Sequence, residues 1–438
     1  MIDRLICKTG YKILSKSGRG SDFPGKFGLK LNKNFLKGFE QPPVTIFITG
    51  TAGKTTISGT LTSALNYLGY RVGSSGKGSN LTSGVASTLI ANSSISGKSN
   101  VDVLILEIDE RYVKKVVPFI KPDYFIISNI TRDQLARNGH FDIVFDDINK
   151  CIDDKTHLIL NADNPLSSKF SVGKNNTTTY FGVAKNQFSG NEYGDKIDVP
   201  YCPACGSKLN YAYFNYGNFG SYSCPHCDFS RRTPEYEAEF RDDAIIIQGN
   251  EISMPNNAVY NAYNIAAVYA QMKLLGIEED RITESLNHLD LATKRYEEFT
   301  IGDKHGTILL SKNETPISYN QSISYVSRIE GDKTIAIGFT RISGRYDEKD
   351  ISWFYDVDYE MLARTGIKRL ILFGKYAYDL AVRLQIAGMD MEKVQIEQDY
   401  TKAYEVLKAT GDDVYCLFYF DMEKMLKKHL KEVGEKVW

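Results

Sequence analysis

The sequence has no apolar run that approaches the length of about eighteen residues needed to span a bilayer as a helix. Its N-terminus also lacks the apolar core and the small-residue cleavage site of a secretory signal peptide. Both absences exclude the common membrane-spanning and secreted classes. We therefore expect a cytosolic protein.

The sequence also lacks an excess of positive or negative charge. The chain has 53 Lys and Arg residues against 54 Asp and Glu residues, which gives a net charge of -1 and a pI near 6.6. Such a chain has no global positive field to recruit a polyanion. Nucleic acid is therefore not an expected partner.

Cysteine is scarce, and the seven present do not form the evenly spread framework of a disulfide-bonded domain. Cys7, Cys151 and Cys416 are isolated, whereas the other four occur together in CPACGSKLNYAYFNYGNFGSYSCPHC. This spacing favours a metal site in a reducing compartment over disulfides.

The order of apolar segments predicts an α/β protein with more than one domain, as expected for 438 residues. Strand-like runs such as VTIFIT and VDVLILEID alternate with amphipathic helical segments, which is typical of a parallel sheet covered on both faces. We predict an N-terminal arm at 1–40, an ATP-binding domain at 41–297 with an inserted ribbon at about 198–232, and a smaller C-terminal α/β domain at 298–438. The arm is mixed basic with a possible amphipathic turn; it could pack on the first domain or dock on a membrane surface or partner.

The segment TIFITGTAGKTTI predicts a phosphate-binding loop between a strand and a helix. The standard loop GxxxxGK[ST] would need glycine at position 48, where this chain has Ile48, so the loop is shortened. Backbone amides at a helix N-terminus bind phosphate well, and a lysine and a hydroxyl suit phosphate oxygens and Mg²⁺. The predicted phosphate-binding residues are Gly50, Thr51, Gly53, Lys54, Thr55 and Thr56.

Acidic and amide side chains follow the next two predicted strands at the carboxyl edge of the sheet, where ligands of such sheets bind. Glu107 is the predicted second ligand of Mg²⁺, beside Thr55, although it could also be an ordinary acid at a strand end. Asp109, Asn129, Asp133 and His140 lie at the same edge, and His140 is more typical of a structural hydrogen-bonder.

These motifs carry a family resemblance. GTAGKTT, EIDE, NITRDQLARNG, LNADN and NAYNIAAVYA are similar to the ATP domain of the Mur ligases, which phosphorylate a carboxylate and let an amine attack the acyl phosphate. The resemblance implies that Lys54, Thr55 and Glu107 serve phosphate and Mg²⁺. It further implies that Asn129, Asn261 and Asn264 line the nucleotide pocket and that Arg295 is the hinge arginine.

The cysteine cluster predicts a structural zinc site. Cys202, Cys205, Cys224 and Cys227 form two CxxC pairs with eighteen residues between them. Four thiolates complete a tetrahedron and leave no open position for catalysis. His226, between the last two cysteines, is expected to be exposed and not to be a fifth ligand.

A Mur-type ATP domain with this inserted ribbon resembles the MurT family, the ligase subunits of lipid II isoglutaminyl synthase. That resemblance implies ATP-dependent amidation of the D-glutamate α-carboxylate of a lipid-linked muropeptide, with ammonia from a separate GatD-like glutaminase in a heterodimer. The sequence agrees with an external ammonia source, because none of the isolated cysteines lies in the setting of an activated nucleophile.

In the MurT family an aspartate of the ligase subunit completes the Cys/His pair of the glutaminase. The stretch GRYDEKDISWFYDVDYE is similar to the family motif and places that role on Asp350, with Asp356 and Asp358 as neighbours. An acidic cluster before a helix can equally be a set of caps.

The chain departs from the family at KNETPISYNQ, residues 312–321, where the Pro-Ala-Gly core of the family loop is missing. A self-sufficient peptide ligase therefore stays open as an alternative, with Lys312, Arg341 and Arg345 as candidate ligands of an amino-acid carboxylate. A nucleotide-binding regulatory module is a further alternative, against which the retained Thr55 and Glu107 argue.

Overall fold

A computed structural model describes residues 2–15, 22–75, 79–133, 139–190, 197–254, 258–289, 296–341 and 350–437. These residues form two compact units. The first unit comprises the described residues up to Thr131, those of 140–190 and those of 199–289. The second comprises 296–341 and 350–437 together with Arg132, Asp133, Gly139, Ile197 and Asp198. The domain boundaries given by the sequence stay a prediction.

The first unit is built on a large, mostly parallel sheet. Its strands and those of a separate hairpin are β1 (Val44–Thr49), β2 (Val72–Ser74), β3 (Val103–Glu107), β4 (Tyr124–Ile127), β5 (His157–Asn161), β6 (Thr178–Val183), β7 (Asn210–Tyr216), β8 (Phe219–Ser223), β9 (Tyr236–Arg241), β10 (Ala244–Ile247) and β11 (Asn250–Ser253). Over the described residues the order is β11-β10-β9-β6-β5-β4-β1-β3-β2, and β7 pairs only with β8. Among the strands that the structure describes in the large sheet, only the two pairings that involve β10 are antiparallel. The chain therefore leaves the large sheet after β6, forms the β7–β8 hairpin and rejoins the sheet at β9, which pairs with β6 in parallel.

Helices cover both faces of this sheet. They are α1 (Ile2–Ser15), α2 (Phe23–Leu31), α3 (Lys54–Tyr67), α4 (Thr82–Ala91), α5 (Val113–Val116), α6 (Phe141–Asn149), α7 (Pro165–Lys169), α8 (Val259–Leu274) and α9 (Glu279–His288). On one face, Phe47, Leu104 and Phe125 pack with apolar residues of α4, α5 and α6. The alternate side chains, such as Ile46 and Ile105, are equally buried, which explains the continuous apolar runs of these strands.

The second unit is a smaller parallel sheet with one antiparallel edge pair, β12 with β13. Its strands are β12 (Tyr296–Ile301), β13 (Lys304–Leu310), β14 (Thr334–Gly338), β15 (Arg369–Phe373), β16 (Val394–Glu397) and β17 (Val414–Phe418), and its helices are α10 (Pro316–Ser327), α11 (Tyr359–Ala363), α12 (Ala377–Ile386), α13 (Ala403–Lys408) and α14 (Phe420–Glu432). Among the described residues the order is β12-β13-β17-β14-β15-β16. Short 3₁₀ turns lie at Phe35–Gly38, Ser352–Asp356, Met391–Lys393 and Tyr400–Lys402.

Two apolar cores, one on each face, hold the smaller sheet. Ile335 and Ile337 of β14 point into one core, and Ala336 between them points into the other. The predicted parallel-sheet architecture with a smaller C-terminal α/β unit is confirmed. Within the described part of the chain, none of the helices combines the length and the apolar character needed to cross a membrane.

Candidate active site

The shortened loop joins β1 to α3 through two glycines in the left-handed region, Gly50 with φ 131° and Gly53 with φ 88°. Side chains are excluded at both positions. A Cβ on Gly50 would lie 2.2 Å from the Ser128 hydroxyl oxygen, and one on Gly53 would lie 2.4 Å from Oδ1 of Asn264. The glycines therefore allow both the backbone path and the close approach of β4 and α8.

The side chain of Asn129, which follows β4, holds this loop in place. Its Oδ1 accepts a hydrogen bond from the Ala52 amide at 3.0 Å, and its Nδ2 donates to the Ala52 carbonyl at 3.0 Å. The Thr51 amide donates to the Asn129 carbonyl at 2.9 Å. The geometry assigns Asn129 a part in positioning the loop, whereas its predicted contact with nucleotide stays a prediction.

Lys54 begins α3 and points to the end of β3, where its Nζ lies 2.9 Å from Oε1 of Glu110 and contacts the Gly50 carbonyl. Both side chains are largely buried. Burial lowers the pKa of Lys54, but the carboxylates of Glu110 and Asp109 outweigh it and hold the pKa above its ordinary value. Sequence reasoning missed Glu110, although it ends the quoted motif EIDE beside Glu107.

Thr55 and Glu107 meet at the same edge of the sheet. The Thr55 hydroxyl donates to Oε1 of Glu107 at 3.0 Å, and the Glu107 amide donates to the Ser75 hydroxyl oxygen at 3.0 Å. Thr55 is exposed, whereas Glu107 is buried at the end of its strand. A hydroxyl and a carboxylate at this spacing are a ligand pair that suits Mg²⁺. Thr56, the next residue of α3, is half-buried.

The other predicted nucleotide ligands are placed only in part. Asn264 on α8 lies beside Gly53, and Asn261 is buried one turn earlier on the same helix. Residues three apart share a helix face, so both amides belong to the face of α8 that borders the loop. Arg295 and Arg345 lie outside the described residues.

The remaining residues predicted at this edge have structural partners. Nδ1 of His140 accepts a hydrogen bond from the Asp142 amide at 3.4 Å, as the N-cap of α6. In the second unit, Oδ1 of Asp133 accepts from the Thr315 hydroxyl at 2.6 Å, and Oδ2 lies 3.9 Å from Nζ of Lys312.

The four cysteines of the two CxxC pairs converge. Their sulfurs all lie within 4.8 Å of one another, with Cys202 and Cys227 at 3.6 Å and Cys205 and Cys224 at 3.4 Å. These distances are too long for a disulfide bond of about 2.05 Å and close to the spacing of about 3.8 Å set by tetrahedral Zn–S bonds of about 2.3 Å. Hydrogen bonds from Ser207 lower the pKa of Cys205, whereas burial raises the pKa of Cys202. His226 is exposed and is not part of the group.

A buried carboxylate ties the hairpin and its cysteine loops to the large sheet. Oδ2 of Asp163, after β5, accepts hydrogen bonds from the Tyr263 hydroxyl at 2.6 Å and from the Val183 amide at 3.1 Å. Nε of Arg231 lies 2.7 Å from Oδ1 of Asp163. Burial raises the pKa of Asp163, and Arg231 opposes that shift. The Gly220 amide in β8 donates to the Asp163 carbonyl at 3.0 Å. Sequence reasoning did not find this cluster.

The three acids of the predicted glutaminase motif differ in their surroundings. Asp350 is exposed, and its Oδ1 accepts from the Ser352 amide at 2.8 Å. Asp356 forms an ion pair with Arg132, and Asp358 caps α11 by accepting from the Met361 amide at 3.2 Å. Asp356 and Asp358 are thus engaged within the unit, and Asp350 presents its carboxylate at the surface.

The loop that departs from the family pattern is held by its asparagine. The Tyr319 hydroxyl donates to Oδ1 of Asn313 at 2.7 Å, and Nδ2 of Asn313 donates to the Arg341 carbonyl at 2.6 Å. The guanidinium of Arg341 pairs with Asp421 at 2.8 Å. The two described cations proposed for an amino-acid carboxylate, Lys312 and Arg341, therefore both have acidic neighbours.

Comparison with known proteins identifies the family. Residues 48–200 match the family model of the Mur ligase middle domain, and residues 310–422 match that of the MurT ligase C-terminal domain. The chain is 31% identical over 391 residues to the lipid II isoglutaminyl synthase (glutamine-hydrolyzing) subunit MurT of Staphylococcus aureus (strain COL), covering 88% of this chain and 87% of that protein. The chain belongs to the MurT family.

Solved structures agree with the fold of a MurT family member. A pseudomurein peptide ligase type C from Methanothermus fervidus superposes with a TM-score of 0.67 at 20% identity, over 91% of this chain and 81% of that one. The MurF ligase from Thermotoga maritima, solved in complex with ADP, gives a TM-score of 0.62 at 15% identity, over 93% of this chain and 85% of that one. The predicted family and the predicted Mur-ligase-like fold are confirmed.

Proposed function

We propose that this chain is the ATP-dependent ligase subunit of a lipid II isoglutaminyl synthase. In this role it amidates the α-carboxylate of the D-glutamate in the stem peptide of a lipid-linked muropeptide, at the cytoplasmic face of the membrane. The observation that carries the proposal is the meeting of Lys54, Thr55 and Glu107 at one edge of the sheet in a MurT family chain. The name of the Staphylococcus aureus relative supplies the substrate class.

The chemistry needs two displacements. A carboxylate oxygen of the substrate attacks the γ-phosphorus of ATP and ADP leaves; ammonia then attacks the acyl carbon, phosphate leaves and one proton is lost. Lys54 would hold phosphate oxygens, and Mg²⁺, held by Thr55 and Glu107, would neutralise charge when bound. Asn261, Asn264 and Arg295 are proposed nucleotide ligands. Catalysis here is mainly positioning and electrostatic stabilisation.

Zinc is the second proposed metal. The four cysteine sulfurs form a closed ligand set with tetrahedral spacing, and thiolates prefer zinc among the common divalent ions. The zinc would have a structural role, because a fourth thiolate leaves no open position for substrate.

Ammonia would come from a separate glutaminase subunit of the GatD type. The relative from Staphylococcus aureus is named as a subunit of a glutamine-hydrolyzing enzyme, and Asp350 is exposed where a partner could reach it. One carboxylate is sufficient to orient and stabilise a catalytic imidazolium. The isolated thiols agree with this division, since burial raises the pKa of Cys7, Cys151 and Cys416.

The test measures amidation of a lipid-linked muropeptide by the purified chain with ATP and Mg²⁺. Ammonium is expected to give product, glutamine is expected to give product only after a glutaminase is added, and amino acids are expected to give none. Lys54→Ala should lower the rate by at least about a hundredfold, whereas the exposed Lys155→Ala should not. Product formed with one amino acid and without ammonium would instead establish a self-sufficient peptide ligase.

A further inference from the structure

The two N-terminal helices, α1 and α2, each pack against the rest of the first unit through one side. On α1, Cys7 is buried in the core of the unit. On α2, the Gly25 amide donates to the Ser87 hydroxyl oxygen of α4 at 2.9 Å, and a Cβ on Gly25 would lie 1.9 Å from the Ser83 carbonyl oxygen. This close approach fixes the orientation of α2. The sides of α1 and α2 opposite Cys7 and Gly25 therefore face away from the core of the unit.

The outward side of α1 is apolar. Ile2, Leu5, Ile6 and Ile13 follow one another at helical spacing and lie on the side opposite Cys7. Ile2 is 73% exposed and Ile13 is 66% exposed. The helix therefore has an apolar stripe against the core and a second one that the described chain leaves uncovered.

The outward side of α2 continues this pattern. Phe23, Phe27 and Leu31 are spaced by four residues along one side, and Phe23 is 60% exposed. Nδ2 of Asn32 donates to Oδ2 of Asp3 at 3.2 Å, which joins the end of α2 to the start of α1. The two stripes thus lie on neighbouring helices.

The charge around these stripes is strongly positive. Residues 2–15 and 22–37 contain seven Lys and Arg residues against the two acids Asp3 and Asp22, a net charge of +5 in a chain whose total is -1. Lys26, Lys30, Lys33 and Lys37 are exposed. Apolar stripes beside lysines are the composition of helices that lie in the headgroup region of anionic membranes.

We propose that Ile2, Leu5, Ile6, Ile13, Phe23, Phe27 and Leu31, with the neighbouring lysines, form a docking surface for anionic phospholipid bilayers. The helices would lie in the interface and not cross it. The inference rests on the proposed function in one respect, because a lipid-linked substrate is confined to such a bilayer. Docking would keep the ligase at the surface where that substrate resides.

The test is co-sedimentation of the full chain with vesicles, without ATP or substrate, so that its result is independent of activity. Vesicles of phosphatidylcholine and phosphatidylglycerol in equal parts should bind the chain, and vesicles of phosphatidylcholine alone should bind it much more weakly. High salt should weaken binding to the mixed vesicles. The double variant Ile13→Asp/Phe23→Asp should bind the mixed vesicles at least about tenfold more weakly.

The matched control is Ile143→Asp/Val172→Asp, which places the same charges on exposed apolar positions of the same unit outside the surface. Equal vesicle binding by both double variants and the unaltered chain would overturn the proposal, as would failure of the unaltered chain to prefer anionic vesicles. Loss of glutamine-dependent amidation, with ammonium-dependent amidation and vesicle binding both kept in Ile13→Asp/Phe23→Asp, would assign the surface to the glutaminase and also overturn it.

Discussion

At the scale of single residues, the contact between Lys54 and Glu110 explains how a lysine can stay charged while it is largely buried. An isolated ammonium in such a site is costly, and a carboxylate partner removes most of the cost. Phosphate oxygens carry the same sign of charge as Glu110. We therefore expect bound nucleotide to take over part of the pairing that Glu110 provides.

This exchange predicts the behaviour of Glu110→Gln. The amide keeps a hydrogen-bond acceptor for Lys54 but loses the charge, so the free energy of unfolding without nucleotide should fall by about 1 to 3 kcal/mol. Thermal unfolding with and without MgATP should show a larger stabilisation by nucleotide in the variant than in the unaltered chain. The exposed Glu251→Gln is the control, and an equal nucleotide effect in Glu110→Gln would contradict the exchange.

At the residue scale, the sequence predicts the location of a side chain where a motif fixes both residue type and backbone shape. The glycines of the loop, Lys54 and the pair of Thr55 with Glu107 lie at one sheet edge, as the pattern predicts. Glu110 and the anchoring contacts of Asn129 could not be derived, because they depend on where two strands distant in sequence end relative to each other.

At the scale of secondary-structure elements, two groups hold the ribbon: the four cysteines link its own loops, and the carboxylate of Asp163 joins it to the large sheet through Arg231. We predict one zinc per chain, and Cys205→Ser should reduce the zinc content to a small fraction and lower the melting temperature. Elemental analysis and thermal unfolding measure both quantities. Cys151→Ser, which changes a half-buried thiol outside the group, should keep the zinc; full zinc content in Cys205→Ser would rule out this ligand set.

The contact between Arg231 and Asp163 predicts a large loss of stability when Arg231 is removed. Arg231→Ala would leave the fully buried carboxylate of Asp163 without its cation, and such losses typically lower the free energy of unfolding by about 3 to 5 kcal/mol. Chemical denaturation measures the change. The neighbouring Arg232 is exposed, so Arg232→Ala should change stability by less than about 0.5 kcal/mol. Similar small effects of both substitutions would show that Arg231 does not hold the ribbon.

Element prediction from the sequence works where the apolar period is clear. The helix that the sequence predicts directly after the phosphate-binding loop is found at Lys54–Tyr67. The pairing of β6 with β9 across the whole ribbon could not be predicted, because local patterns do not specify which distant strand closes a sheet.

At the scale of the whole molecule, the proposed function assigns ATP-dependent amidation to this chain and glutamine hydrolysis to a separate glutaminase. Reactions with ammonium and with glutamine should therefore respond differently to a substitution at Asp350. Asp350→Asn should leave ammonium-dependent amidation within about twofold of the unaltered chain, because Asp350 is not among the residues proposed to hold ATP or Mg²⁺. Glutamine-dependent amidation by the complex with the glutaminase should fall by about 10² to 10⁴ if the carboxylate orients the imidazole.

Asp390→Asn is the matched control, because Oδ1 of the exposed Asp390 likewise accepts a hydrogen bond from the amide two residues later, that of Glu392 at 3.1 Å. It should leave both reactions unchanged. A glutamine-dependent rate that survives in Asp350→Asn would remove Asp350 from the triad, while the assignment of the ATP site would stand.

The strand order of the second unit bears on how the chain is made. β17 lies between β13 and β14 and provides hydrogen bonds to both. During synthesis β17 (Val414–Phe418) leaves the ribosome long after β13 and β14. Until then, the edges of β13 and β14 that pair with β17 remain unpaired. Open edges are templates for wrong pairing between chains. The sheet of the first unit closes with β11, so during synthesis the chaperone requirement should fall mainly on the C-terminal third of the chain.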